Sequence, residues 1–181
     1  GAIDLKGTAR ALATNIAGLA RQGGSTLTQQ YVKQIRIEAA VAAGNEEGVQ
    51  AAQEPTITRK IQELRYAVAM EKKLSKKQIL ERYLNIAYFG DGAYGVESAA
   101  HHYFGTTAAN LDLAQSAMLA GLVQNPVAYD PVNHPEAAMN RRNIVLARMA
   151  QLNLISADQA RKAEATVFDK SKVFYPKNGC I

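Results

Sequence analysis

Two short segments hold residue types that handle anions and protons. The first, Gly23-Gly24-Ser25-Thr26-Leu27-Thr28-Gln29-Gln30-Tyr31-Val32-Lys33, sets two glycines before a hydroxyl-rich helix start. Such a start presents free backbone N–H groups, which suits an anion. Gln29 and Lys33 are four apart and share a helix face. A capped helix with a polar face would show the same pattern, and spacing alone leans that way. The second segment is Arg59-Lys60-Ile61-Gln62-Glu63. Arg59 precedes Glu63 by four residues and Lys60 by three, so one carboxylate lies between two cations on one helix face. This is either a surface ion-pair cluster, worth well under ~1 kcal/mol, or a carboxylate and two cations facing a phosphate. Spacing alone favours the surface cluster, because such pairs decorate most helices.

The other candidates carry less. His101, His102 and His134 lack helical ligand spacing, and adjacent histidines face two directions, which argues against a metal site. Gly90, Gly92 and Gly95 crowd a loop that follows a helix rather than a strand, so they are no nucleotide fingerprint. Arg141, Arg142 and Arg148 interleave with Val145, Leu146 and Met149, which read as ordinary core. No nucleic-acid face is expected from so small and scattered a basic excess.

The elements that must position these residues read as a series of helices. Leu12, Ile16 and Leu19 mark one apolar face, and Gly23-Gly24 stops that helix. Ser25 or Thr26 caps the next, with Leu27, Tyr31 and Ile35 on its face. From Glu38 to Glu54 the apolar period fades into Ala, Gly, Gln and Glu, and residues 38–54 are expected to form a mobile insertion, helical at its start. Thr58 is expected to cap a helix with Ile61, Leu64 and Val68 on one side. Ser75 with Gln78, and Ser156 with Gln159, have capping-box spacing. Leu111 to Leu122 form a further helix, and Pro135 opens another that carries Met139, Arg142, Val145, Leu146, Met149 and Leu152. The tail from Phe168 to Ile181 is irregular. No strand alternation and no internal repeat appears, so the expectation is one mainly α domain over residues 1–181, with seven or eight short helices.

The 181 residues are 48% hydrophobic and 20% charged, which excludes a disordered chain. No apolar run reaches the ~18 residues of a membrane span, and the chain as given does not open on a basic-then-apolar stretch, so it is expected to be soluble. The formal net charge is +5 and the pI about 9.3, which suits a polyanion, an anionic membrane surface or a phosphorylated substrate. The single cysteine, Cys180, excludes an internal disulfide and a cysteine-based zinc site.

Taken in order, the segments resemble the peptidoglycan glycosyltransferase family, the glycan-polymerising domain of class A penicillin-binding proteins and of monofunctional transglycosylases (glycosyltransferase family 51). Gly23 to Lys33 is similar to its second motif, GGSTxTQQxxK. Arg59 to Glu71, RKIQELRYAVAME, is similar to the third. Lys76 to Gly105, KKQILERYLNIAYFGDGAYGVESAAHHYFG, matches the fourth, and Arg141 to Met149, RRNIVLARM, the fifth. LAQSAMLAGLVQNPVAYDP between them is also similar, with Gln115 where the family usually has Glu.

The resemblance implies a lysozyme-like helical fold with two lobes and a cleft. It implies polymerisation of lipid II at the outer face of the bacterial cytoplasmic membrane, with the growing glycan on undecaprenyl pyrophosphate as donor and its carrier as leaving group. Glu63 matches the family's second catalytic carboxylate, which positions a divalent cation (Mg or Mn) against the pyrophosphate or helps protonate the leaving group. Lys33, Arg59 and Lys60 match phosphate-contacting residues. Ser25, Thr26, Gln29 and Gln30 match the substrate-cleft motif, and Tyr83, Asn85 and Tyr88 match supporting residues of the fourth motif. No organic cofactor is implied. The family's catalytic base belongs to a first motif, EDxxFxxHxG, which would precede Gly1; the domain is read as truncated at its N-terminus, and residues 1–181 alone are expected to be inactive. A transpeptidase domain follows in class A proteins. Lys33 and Arg59 are 26 positions apart, more than the family commonly has, and the 38–54 insertion accounts for the excess. A lysozyme-like hydrolase or lytic transglycosylase is the competing enzyme, though one acting on bare glycan has no pyrophosphate to hold. A non-catalytic lipid II or phospholipid-binding fragment is the competing non-enzyme.

Overall fold

A computed structural model of the chain describes residues 26–175. Ser25, the Gly23-Gly24 pair, the Leu12–Ile16–Leu19 helix and Cys180 lie outside the described residues. The described part is helical, with no strand; its one β-type contact is an isolated bridge between Tyr88 and Tyr94. The chain divides into two compact units, the first ending at Tyr83 and the second beginning at Leu84.

In the first unit α1 spans Leu27–Ala42, α2 Glu46–Gln53 and α3 Ile57–Glu71, and α4 (Lys76–Ile86) begins there. Thr26 starts α1 through a capping box: its hydroxyl accepts from the Gln29 N–H at 3.2 Å and Gln29 Oε1 accepts from the Thr26 N–H at 3.3 Å. The buried stripe of α1 is Thr28, Tyr31 and Val32. Thr28 donates to Glu71 at 2.6 Å, and Arg36 donates to Gln62 at 3.3 Å. Advancing along α1 therefore retreats along α3, so the two helices pack antiparallel.

That packing explains why α3 departs from its expected face. Thr56, rather than Thr58, is the cap, its extended backbone following Pro55 and its hydroxyl accepting from the Arg59 N–H at 3.2 Å. The side of α3 turned to α1 runs Glu63, Ala67, Glu71, at four-residue steps, with Glu63 and Ala67 buried. Ile61, Leu64 and Val68, the expected apolar face, are 36–48% exposed. The small Ala67 admits the neighbouring helix where those bulky residues would hold it off.

Residues 38–54 are more helical than their weak apolar period suggests. α1 continues to Ala42, Gly44 turns the chain at φ +63°, and Asn45 caps α2 by accepting from the Gly48 N–H at 2.8 Å. α2 lies against α1 and buries Ala52. Gly48 permits the approach: a Cβ there would sit 3.1 Å from that of Ala40. Alanine's high helix propensity sustains both helices where large apolar groups are missing.

In the second unit α5 spans Val96–Phe104, α6 Leu113–Leu122, α7 Pro135–Gln151 and α8 Ala157–Glu164. Ala114, Ala117, Ala160 and Ala163 form a core around the single larger Leu146, and these small residues let α6, α7 and α8 approach closely. Arg142 is buried on α7 and donates to the carbonyls of Glu164 at 2.8 Å and Thr166. Its guanidinium thus closes the C-terminus of α8, where orphan carbonyls and the helix dipole favour a cation. Burial lowers its pKa from the ordinary arginine value. A buried histidine, His102, ties down the end of the described chain. Its Nδ1 donates to Phe174 O at 2.7 Å, and the Phe174 N–H donates to His102 O at 2.8 Å. On the other side of the ring, Nε2 lies 2.9 Å from Asp91 Oδ2, which also accepts from the Tyr175 hydroxyl at 2.8 Å.

Candidate functional site

α3 is the scaffold of the site in the first unit. The Glu63 side chain is 1% exposed, those of Arg59 and Lys60 14% and 12%. Arg59 Nη1 bonds Glu63 Oε1, and Lys60 Nζ lies 3.3 Å from Glu63 Oε2. The carboxylate of the expected surface cluster is therefore buried, its two cations are largely covered, and each carboxylate oxygen faces its own cation. Arg59 also donates through Nε to Glu54 O, the C-cap of α2, so it anchors the end of the 38–54 segment as well.

α1 supplies the second wall. Gln29 is engaged with the Thr26 backbone, and Gln30 Oε1 accepts from the Tyr83 hydroxyl at 3.2 Å. Burial raises the Tyr83 pKa above the usual tyrosine value, which keeps the hydroxyl a donor. Lys33 is half-buried on the same helix. One turn beyond it, Arg36 reaches Gln62, the residue before Glu63. Sequence reasoning passed over Arg36 and Gln62; the available signal was that Arg36 follows Lys33 by three and so shares its face.

Asn85 and Tyr88 fall in the second unit. Tyr88 pairs with Tyr94, their ring centroids 4.7 Å apart, across a turn in which Phe89 N–H donates to Ala93 O at 2.9 Å. The Asn85 carbonyl lies where a Cβ on Gly95 would come within 2.7 Å of it, so only glycine fits there. Both residues support this turn. Gln115 completes a capping box with Asp112 at 2.8 and 2.9 Å, a task its amide oxygen performs as a carboxylate would.

Among the described residues no group of three or more His, Cys, Asp and Glu side chains could hold a metal. Glu63 is a single carboxylate with both oxygens engaged by cations, a donor set that does not fit a resident divalent ion.

The model of a family described as Transglycosylase matches residues 1–150. The chain belongs to the transglycosylase family. Penicillin-binding protein 1A of Streptococcus pneumoniae is 41% identical over 152 residues, covering 84% of this chain and 20% of that protein. The monofunctional glycosyltransferase of Staphylococcus epidermidis is 40% identical over 167 residues, covering 88% of this chain and 57% of the relative. The crystal structure of penicillin-binding protein 1A from Haemophilus influenzae superposes with a TM-score of 0.52 at 34% identity, over 61% of this chain and 16% of that one. This transglycosylase chain thus spans less than two thirds of the length of these relatives. It has the mainly helical, lysozyme-like architecture of the family, and no helix among the described residues is long and apolar enough to cross a membrane.

Proposed function

We propose that this transglycosylase region, acting with the carboxylate of the family's first motif, polymerises lipid II into glycan strands and releases undecaprenyl pyrophosphate at the outer face of the bacterial cytoplasmic membrane, and that residues 1–181 alone are inactive. The observation that carries the reading is the buried triad on α3, in which Arg59 and Lys60 flank Glu63. Two cations held against one carboxylate retain a net positive charge and low mobility. Preorganised positive groups of this kind stabilise negative charge that develops on a departing pyrophosphate. A hydrolase acting on bare glycan has no such charge to meet. Glu63 orients the two cations and partly neutralises them. With both oxygens engaged it is a positioning residue here, and the proton of the attacking 4-hydroxyl is assigned to the carboxylate of the family's first motif. The acceptor is a second lipid II and the donor is the growing glycan; a transpeptidase domain in the same polypeptide is what the similarity to class A penicillin-binding proteins implies.

Binding of the phosphoglycolipid moenomycin, measured with thermal melting, tests the reading. Lys33→Ala should weaken binding about tenfold or more, which corresponds to ~1.4 kcal/mol, with melting little changed. Arg59→Ala should lower both, because Arg59 also holds the Glu54 carbonyl. Affinity within twofold of wild type for Lys33→Ala and Arg59→Ala, with a sharp drop in melting for the latter, would make the cluster purely structural.

A further inference from the structure

Among the described residues, Arg36 carries a donor with nothing to bond. Its Nη2 reaches Gln62 Oε1 at 3.3 Å, but Nη1 is buried and has no hydrogen-bond partner among the described residues. A guanidinium nitrogen shielded from water and left without an acceptor is costly, and such groups in native proteins call for an explanation. Its position supplies one. Thr28 meets Glu71 and Arg36 meets Gln62, which sets the antiparallel register of α1 against α3. In that register the residue of α1 level with Gln62 and Glu63 is Arg36, while Lys33 falls about 4.5 Å further along the axis, nearer Tyr66. Gln29, Lys33 and Arg36 all lie within about 60° of one another around α1. The α1 cation beside the Arg59–Lys60–Glu63 triad is therefore Arg36.

We propose that Arg36 is a further phosphate-binding residue of this site, its Nη1 edge donating to an oxygen of the lipid-linked pyrophosphate. This rests on the pyrophosphate reading above. An arginine suits the task because its planar fork offers two parallel donors while one edge stays on Gln62. The alternative is a structural brace between α1 and α3.

The test uses farnesyl pyrophosphate and farnesyl monophosphate as probes, in detergent, with melting recorded for every variant. Arg36→Gln keeps an amide beside Gln62 and removes the charge; it should weaken farnesyl pyrophosphate binding about tenfold and the monophosphate less. Arg36→Lys keeps the charge without the fork and should lie between Arg36→Gln and wild type. Gln62→Ala frees the Nη2 edge but keeps the charge, so it should weaken farnesyl pyrophosphate binding less than Arg36→Gln does. If Arg36→Gln also stays within twofold while Lys33→Ala loses tenfold, Arg36 is a brace and the pyrophosphate reading survives. If Gln62→Ala matches Arg36→Gln in both binding and melting, bracing again explains the effect. If Arg36→Gln, Lys33→Ala and Arg59→Ala all stay within twofold, the pyrophosphate reading falls and the role of Arg36 with it.

Discussion

Glu63 shows how much a carboxylate's surroundings decide about its worth. On an exposed helix, Arg59 and Lys60 at four and three residues before it would contribute a few tenths of a kcal/mol. With Glu63 buried and both cations largely covered, the same three side chains depend on one another. Glu63→Gln keeps the shape but leaves two cations close together without a counter-charge. It should cost about 3–5 kcal/mol, read from urea unfolding, because removing one partner of a buried pair exposes the full desolvation penalty of the others. A loss under about 1 kcal/mol would mean that water reaches the cluster. The triad's membership was legible from spacing and its burial was not. Spacing is a property of one helix, whereas burial came from α1, which packs on the Glu63–Ala67–Glu71 side for reasons spread over two segments. Ser25 stands outside the described residues, so its part in the substrate-cleft motif rests on the resemblance alone.

At the scale of elements, local chemistry was the reliable guide. The Ser75–Gln78 and Ser156–Gln159 boxes form as their spacing implied, and Pro135 occupies the first turn of α7. The Asp112–Gln115 box went unread because Gln115 drew notice only as a departure from the family's glutamate. Asp112→Ala should therefore cost about 1 kcal/mol in denaturant unfolding, whereas Gln115→Glu should stay within about 0.5 kcal/mol, since either side chain offers an acceptor oxygen. Apolar periodicity failed on α3, where Ile61, Leu64 and Val68 have the right period and the wrong side. It failed again at residues 46–53, where the Asn45 cap, two first-turn glutamates and good helix formers build a helix that hydrophobic pattern does not announce. Both failures share a cause: close helix packing here runs through small residues, which leave little trace in a hydrophobic pattern.

At the scale of the molecule, buried tyrosines set its response to alkali. Burial raises the pKa of Tyr83 in the first unit and of Tyr103 in the second, where the Asp130 and Asp91 charges add to the effect. A folded-state pKa above the unfolded value contributes stability that is intact below about pH 10 and is lost as pH rises beyond it, because the unfolded chain ionises first. Unfolding free energy should thus fall above pH 10 by up to about 1.4 kcal/mol per pH unit for each tyrosine held neutral. Tyr103→Phe should flatten that slope; an unchanged slope from pH 8 to 11.5 would show that the ring is hydrated. The tie around His102 has a mechanical consequence. The chain leaving Tyr175 is fastened at Phe174 by two hydrogen bonds to His102, and at Tyr175 by one to Asp91. Tension on whatever follows Tyr175 is therefore borne first by the Asp91 turn and the base of α5, which share the load across several bonds before any of it can peel α8 from α7.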